Sequence, residues 1–203
     1  MIKTITKTTY INDEGFSFTF EPIEGSLGIK KTKTGFEAKY LSPDDNPIDP
    51  REDENYSTMI CFHKSYKLGD ETDLKSEDFG GWEELEKHLI EELKAVVVLP
   101  LYLYDYSGIS MRTYRHGQHK DWDCGQVGFI YMTADDIREV GIKKSKAEQY
   151  LINEVETYNQ YLTGDLYCIV KETYDQNKER IDYDVCGGYF GYEYAVKALE
   201  TDI

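Results

Sequence analysis

The amino-acid sequence predicts an α+β fold, with an antiparallel or mixed sheet and two main helices packed on it. Phe16, Phe18 and Phe20 alternate with polar residues, a period-two pattern that is typical of a half-buried strand. Residues 82–94 and 145–162 repeat apolar side chains at helical spacing, which predicts two amphipathic helices. Strands and helices follow one another without βαβ regularity, which favours the α+β class. The length of 203 residues predicts a single domain, residues 1–203.

Further elements follow from local patterns along the chain. Residues 42–55 (SPDDNPIDPREDEN) hold three prolines and six acidic residues, so they are predicted to form an acidic, proline-rich loop or a disordered linker. Pro100 follows an apolar run and predicts that this strand ends there or becomes an edge. Thr133 is a predicted cap of a short helix that Gly141 ends. The predicted strands cover residues 16–20, 35–41, 56–63, 95–99, 126–133, 166–174 and 180–185.

The charge of the chain is acidic and unevenly distributed. The net charge is −16, which argues against nonspecific binding to nucleic acid or to a membrane surface, because both need a basic face; no direct nucleic-acid binding is predicted. Residues 42–92 alone hold 16 acidic and 5 basic residues, a net of −11. A concentrated anionic surface can bind a protein that normally holds nucleic acid. The residues predicted to form this surface are Asp44, Asp45, Glu52, Asp53, Glu54, Glu83, Glu84 and Glu91.

Cysteine spacing and hydropathy predict a cytoplasmic protein. The four cysteines include no CxxC pair, so reduced thiols are expected rather than a zinc knuckle or a disulfide framework. The first ten residues, MIKTITKTTY, lack the apolar core of a signal peptide. The longest apolar run, residues 95–103, is too short to span a bilayer and contains Pro100, so no membrane partner is expected.

The segment 102–126 carries the highest density of chemically versatile side chains. Apolar strand-like runs flank it, and a polar, glycine-punctuated loop between buried strands is a common place for a site. Because the two flanking strands bring the ends of the loop together, its polar residues are predicted to converge on one surface region. The predicted binding residues are Asp105, Ser107, His116, His119, Asp121, Trp122, Asp123 and Gln126.

These residues leave several chemistries open, but no reaction is specified. Imidazole, carboxylate and thiolate groups suit a divalent metal, yet their spacing does not provide a tetrahedral set, so neither a metal nor another cofactor is predicted. Ser107 with His116 or His119 is a nucleophile–base hypothesis without a GxSxG elbow or a third member. Cys124 near His119 is the thiol alternative. Trp122 is expected to anchor the core, with a lid or a stacking platform as alternatives.

The runs LYLYDYSGISMRTYRHGQHKDWDCGQVGFIYM, EVETYNQYLTGDLYCIV and CGGYFGYE resemble a group of uncharacterised proteins carried by bacteriophages and mobile elements. The resemblance covers residues 96–193. Its matching positions are Asp105, Ser107 and Gly108 in a turn, and residues 122–131 at the entry to a strand. It implies a setting, a virus or mobile element inside a bacterium, and no chemistry.

Three functions remain as predictions. The first is inhibition of a host defence protein that binds nucleic acid, with the acidic surface as a nucleic-acid mimic. The second is small-ligand binding or catalysis in the 102–126 loop. The third is an accessory phage protein without a site. The composition favours the first, because complementary charge accelerates the encounter with a basic partner.

Overall fold

The computed structural model describes residues 4–52, 55–105, 108–115 and 124–201. Within them lie ten strands: β1 Thr8–Ile11, β2 Ser17–Phe20, β3 Gly28–Thr32, β4 Gly35–Pro43, β5 Thr58–Cys61, β6 Ala95–Asp105, β7 Ile109–Arg112, β8 Cys124–Thr133, β9 Leu166–Asp175 and β10 Arg180–Phe190. The same residues form four α-helices: α1 Trp82–Glu91, α2 Ala134–Val140, α3 Ala147–Thr163 and α4 Tyr192–Thr201. Two short 3₁₀ turns, Ser76–Asp78 and Lys144–Lys146, precede α1 and α3.

All strand pairs between the described residues are antiparallel, and the mixture of sheets and helices confirms the α+β class. The expectation of two main helices is not confirmed, because four helices are present in the described part of the chain. The chain divides into two compact units. Unit 1 combines Met1–Ile48 with Gly164–Ile203, and unit 2 is Asp49–Thr163. The single-domain organisation stays a prediction.

Unit 1 is built on a four-stranded sheet in the order β10-β9-β4-β3. The β1–β2 hairpin covers one face through an aromatic cluster, in which Phe36 and Tyr174 stack with ring centroids 4.8 Å apart. Helix α4 packs on the opposite face, where Ala195 and Leu199 join Leu41. Both faces of the central strands are therefore removed from water, which is the main stabilising contribution of such a layer.

Unit 2 contains a second four-stranded sheet, in the order β5-β8-β6-β7. Helix α3 packs on one face, where Leu151 and Val155 lie against Leu101 and other apolar side chains. Helix α1 packs on the other face. Because neighbouring residues of a strand point to opposite faces, β6 contributes alternate residues to the two layers. The same alternation decides which polar residues lie beside α1.

Several predicted boundaries differ from the structure by a few residues, and two of the differences have a clear structural cause. Helix α1 ends at Glu91 rather than at residue 94, because Lys94 adopts φ 59°, the left-handed conformation that stops a helix. Pro100 lies inside β6, so the expected end of the strand there is wrong. The expected edge character is confirmed: β6 pairs with β8 at Pro100, whereas its pairing with β7 begins only at Tyr102. The missing N–H of the proline is tolerated at a position with one strand neighbour.

Candidate partner-binding surface

Helix α1 is held to the sheet of unit 2 by its apolar side. Leu85 and Leu89 are almost fully buried, at 1% and 0% exposure, and they pack with Phe129 and Tyr131 of β8. Glu83 and the neighbouring Glu84 occupy the first turn, where carboxylates interact favourably with the positive end of the helix dipole. The predicted helix and its buried face are therefore confirmed.

The outer side of α1 carries a dense row of carboxylates. The eleven residues 82–92 contain five glutamates, all exposed: Glu83, Glu84, Glu86, Glu91 and Glu92. At 1.5 Å and about 100° per residue they extend along about 14 Å of the axis and around about 240° of the circumference. Glu83, Glu84 and Glu91 lie on the side opposite Leu85 and Leu89. Lys87 is the one lysine among these eleven residues, and its Nζ lies 3.9 Å from the Glu91 carboxylate.

A tyrosine–arginine cluster lies on the same face of the sheet as α1. Val98 of β6 packs in the α1 layer, so strand alternation puts Tyr102 and Tyr104 on that face further along the strand. Arg112 pairs with Tyr102, and its guanidinium lies 5.8 Å from the ring centroids of both Tyr104 and Tyr114. Tyr114 is 57% exposed. We call the exposed glutamates of α1 and this cluster together the α1 face.

The chemistry of the α1 face suits protein binding. Tyrosine and arginine are the residue types that most often dominate binding energy at interfaces, because they combine a large contact area with polar groups. Carboxylates at the rim accelerate association with a basic surface.

The acidic loop is more firmly held than its sequence suggests. It begins at Asp44, because β4 pairs with β9 as far as Pro43; residues 42 and 43 therefore belong to a strand. The Asp44 carboxylate accepts the Gly188 N–H at 3.0 Å and the Asn46 N–H at 3.2 Å. Asp45 and Glu52 are exposed. The predictions for Asp53 and Glu54 lie outside the described residues.

Arg51 is a structural residue that the sequence did not single out. Its side chain is only 3% exposed and forms a bidentate pair with Asp70, with both N–O distances 2.7 Å. A third nitrogen donates to Glu154 of α3 at 2.8 Å. Burial lowers the pKa of Arg51, but the two carboxylates together raise it above its usual value. In the sequence, Arg51 is the one basic residue among the six acidic residues of segment 42–55, which was an indication that it pairs with carboxylates.

A cavity of about 590 Å³ opens beside this network in unit 2. Most of its charges are paired within its wall: Arg51 with Asp70, and Lys67 with Glu71 at 2.8 Å. The charged residues that line it are Asp49, Arg51, Glu52, Lys67, Asp70 and Glu71. This arrangement joins the 49–57 segment to its surroundings. The Ser57 hydroxyl in the same wall donates to the Glu154 carboxylate, which also accepts the Arg51 guanidinium.

Only two residues of the predicted 102–126 site lie in the described part of the chain. Asp105 ends β6, and Gln126 lies near the start of β8, so the two are at the same end of one strand pair. Strand alternation assigns Asp105 to the face of Leu103, and Gln126 to the opposite face, beside Tyr102. Asp105 accepts the hydroxyl of Tyr66 at 3.1 Å. The predictions for Ser107, His116, His119, Asp121, Trp122 and Asp123 lie outside the described residues.

The thiols with shifted pKa values are poor nucleophiles. Burial raises the pKa of Cys61 to about 12 and that of Cys168 to about 11, where the nearby Asp44 carboxylate adds to the shift. Cys124 lies at the start of β8, and the residues proposed to activate it are outside the described ranges. Within the described ranges, no group of three histidine, cysteine or acidic side chains has a metal-binding arrangement.

Comparisons with known proteins assign no role to the α1 face or to the 102–126 segment. No protein-family model, curated protein or solved structure matches the chain. Among the described residues, no helix combines the length and the apolar character needed to cross a membrane. The resemblance to bacteriophage proteins stays a prediction.

Proposed function

We propose that the protein inhibits a nucleic-acid-binding protein by occupying its basic surface with the α1 face. The observation that carries the proposal is the group of exposed glutamates, four in α1 and Glu92 directly after it, with a tyrosine–arginine cluster on the same face of one sheet. The resemblance to proteins of bacteriophages and mobile elements supplies the biological setting. In that setting the partner is a host defence protein in the bacterial cytoplasm.

The proposed inhibition follows from charge complementarity. A nuclease or DNA-scanning protein holds its substrate with lysine and arginine side chains against phosphates. The glutamates on the outer side of α1 offer these side chains a cluster of carboxylates. They contain no phosphodiester bond, so the partner has nothing to cleave. The inhibitor and the nucleic acid then compete for one surface.

The carboxylates provide fast encounter, and the aromatic cluster provides the lasting contact. Electrostatic steering mainly increases the association rate and weakens as salt is added. Tyr104 and Tyr114, with Arg112 between them, supply the contact area from which slow dissociation arises. The proposal therefore assigns different kinetic roles to the two parts of the α1 face.

Affinity capture from a bacterial lysate, followed by competition, tests the proposal. The immobilised protein is expected to retain a basic protein that a DNA or RNA duplex releases. The E83Q/E91Q variant removes two carboxylates eight residues apart on α1. Its matched control is E148Q/E156Q, which removes two exposed glutamates with the same spacing on α3.

We expect the first variant to retain markedly less of the captured protein and the second to behave like the wild type. A captured protein that no nucleic acid displaces, or equal losses in both variants, would overturn the proposal.

A further inference from the structure

The strand β10 is an open edge of the unit 1 sheet. It pairs with β9 on one side and ends the strand order β10-β9-β4-β3, and no strand among the described residues pairs with its other side. Its first nine residues, 180–188, are all exposed. Such a strand presents a row of backbone N–H and C=O groups that another strand can pair with.

The two sides of this edge differ in chemistry. Tyr183 and Val185 are 54% and 42% exposed. They pair with Glu172 and Val170 of β9, so they point to the face of the sheet on which the β1–β2 hairpin packs. The intervening Asp184 points to the opposite face, as does Asp182. Along residues 182–185 the edge thus has an acidic side and a side formed by Tyr183 and Val185, where the Arg180 guanidinium lies 4.7 Å from the Tyr183 ring centroid.

The devices that usually protect an edge strand are few in β10. Lysine and proline are absent from its sequence, RIDYDVCGGYF. A bulge between Cys186 and Tyr189, with Gly188 at φ 80°, interrupts the regular ladder only at the C-terminal end. The two aspartates are therefore the main obstacle to pairing. They disfavour a strand with acidic residues opposite them and favour one with basic residues there.

A second copy of this chain fits the edge poorly. In an antiparallel pair of two β10 strands, the apolar sides lie together only if the two-fold axis passes through the same residue of both strands. If the centre is Tyr183, Asp182 of each copy faces Asp184 of the other. If the centre is either aspartate, that aspartate faces itself. Like charges directly opposite each other destabilise a strand pair. Centres at Ile181 or Val185 avoid these contacts, but the register shifts at Arg180/Asp182 and Cys186/Tyr189 interrupt regular pairing within two residues of either centre.

We propose that β10 accepts an extended segment of a partner protein as a fifth strand of the unit 1 sheet. The segment carries lysine or arginine at alternate positions, facing Asp182 and Asp184, and apolar residues between them, facing Tyr183 and Val185. Lys171 of β9, opposite Asp184, bonds to Glu37 at 3.1 Å, so the aspartates are the outermost charges on that side. Backbone pairing supplies affinity and the alternating side chains supply specificity. Because β10 belongs to unit 1, this proposal is independent of the α1 face.

Three synthetic nine-residue peptides test the proposal with ¹⁵N-labelled full-length protein. The first, KVKVKVKVK, matches the edge. The second, KKKKKVVVV, has the same composition without alternation, and the third, EVEVEVEVE, reverses the charge. We expect the first to shift the backbone amide resonances of residues 180–186 and to bind at least ten-fold more tightly than either of the others.

A charge-reversed edge provides the decisive comparison. D182K/D184K is expected to lose the preference for KVKVKVKVK and to bind EVEVEVEVE instead. E193K/E200K makes the same change of net charge at two exposed positions of α4 and should keep the wild-type preference. If D182K/D184K does not fold, as judged by circular dichroism, D182N/D184N replaces it and should bind the first and third peptides equally.

Three outcomes would overturn the proposal. Equal binding of the first two peptides would show attraction by charge alone. Resonance shifts confined to other strands would place the contact elsewhere. Concentration-dependent sedimentation of the protein alone, with protection of the β10 amides, would show that a second copy occupies the edge.

Discussion

The acidic loop and helix α1 are similar in sequence but differ in how the structure uses their charges. In the loop, Asp44 accepts backbone N–H groups, and Asp49 accepts the N–H of Arg51, whose buried guanidinium anchors the segment. In α1 the anchor is apolar, through Leu85 and Leu89, and the glutamates stay on the exposed side. A helix held by apolar contacts does not need its carboxylates as anchors: Glu84 accepts the Gly80 N–H at 2.7 Å and Glu91 lies 3.9 Å from Lys87 Nζ, but both contacts are exposed. The loop, by contrast, uses Asp44 and Asp49 to hold its own backbone.

Among the variants that test this contrast, removal of the Arg51 side chain should have the largest effect on the free energy of unfolding. Arg51→Ala leaves the carboxylates of Asp70 and Glu154 partly buried without their cation, so it should cost roughly 3–5 kcal/mol in the free energy of unfolding. Chemical denaturation measures the change. Arg138→Ala is the matched control, because Arg138 is exposed and pairs with the exposed Asp135; it should change stability by less than roughly 0.5 kcal/mol. Similar costs for the two variants would contradict the role of Arg51.

Truncation of Leu89, which holds α1 to the sheet, should have the next largest effect on stability. Leu89→Ala creates a cavity beneath α1 and should cost roughly 2–5 kcal/mol in chemical denaturation. Ile90→Ala, at a neighbouring position that is 48% exposed, serves as the control and should cost much less. A change within roughly ±0.5 kcal/mol for Leu89→Ala would mean that the helix is not held by this side.

A smaller effect is expected from Asp44, whose carboxylate joins the loop to β10. Asp44→Ala removes the acceptor of the Gly188 and Asn46 N–H groups and should destabilise the protein by roughly 1–3 kcal/mol. Asp45→Ala, at the exposed neighbouring position, should be close to neutral. Equal costs at both positions would assign the effect to chain flexibility instead of to these hydrogen bonds.

Neutralisation of the outer side of α1 should have the smallest effect on stability. E83Q/E91Q removes a first-turn carboxylate and one exposed i,i+4 pair with Lys87, so it should cost no more than roughly 1.5 kcal/mol in the free energy of unfolding. A loss well beyond that value would show that these glutamates stabilise the fold, and it would weaken their assignment to partner binding.

Periodicity predicted the helices and strands because it depends on local patterns that burial imposes. The spacing of Leu85 and Leu89 located the buried side of α1 correctly. The strand around Pro100 was cut short because the sequence does not show where pairing with β7 begins. Asp105 and Gln126 lie on opposite faces of the sheet, and this placement likewise depends on the register between β6 and β8, which local sequence does not show.

Long-range charge pairing was the part that the sequence could not supply. Arg51 lies 19 residues from Asp70 and 103 from Glu154, and no local pattern connects them. The acidic composition of residues 42–55 therefore predicted a solvated loop, whereas the structure contains a buried cation within it. Acidity alone does not separate carboxylates that stabilise the fold from those that remain on its surface.

The most direct test of the central claim compares the two acidic regions in partner binding. The affinity of the captured partner is measured for the wild type, E83Q/E91Q and D44N/D45N over a salt series, since attraction between exposed charges is screened beyond about 8 Å at physiological ionic strength. We expect E83Q/E91Q to bind more weakly at low salt and with a shallower salt dependence. D44N/D45N should keep the wild-type affinity and slope. Binding that is insensitive to salt and unchanged in E83Q/E91Q would contradict the account.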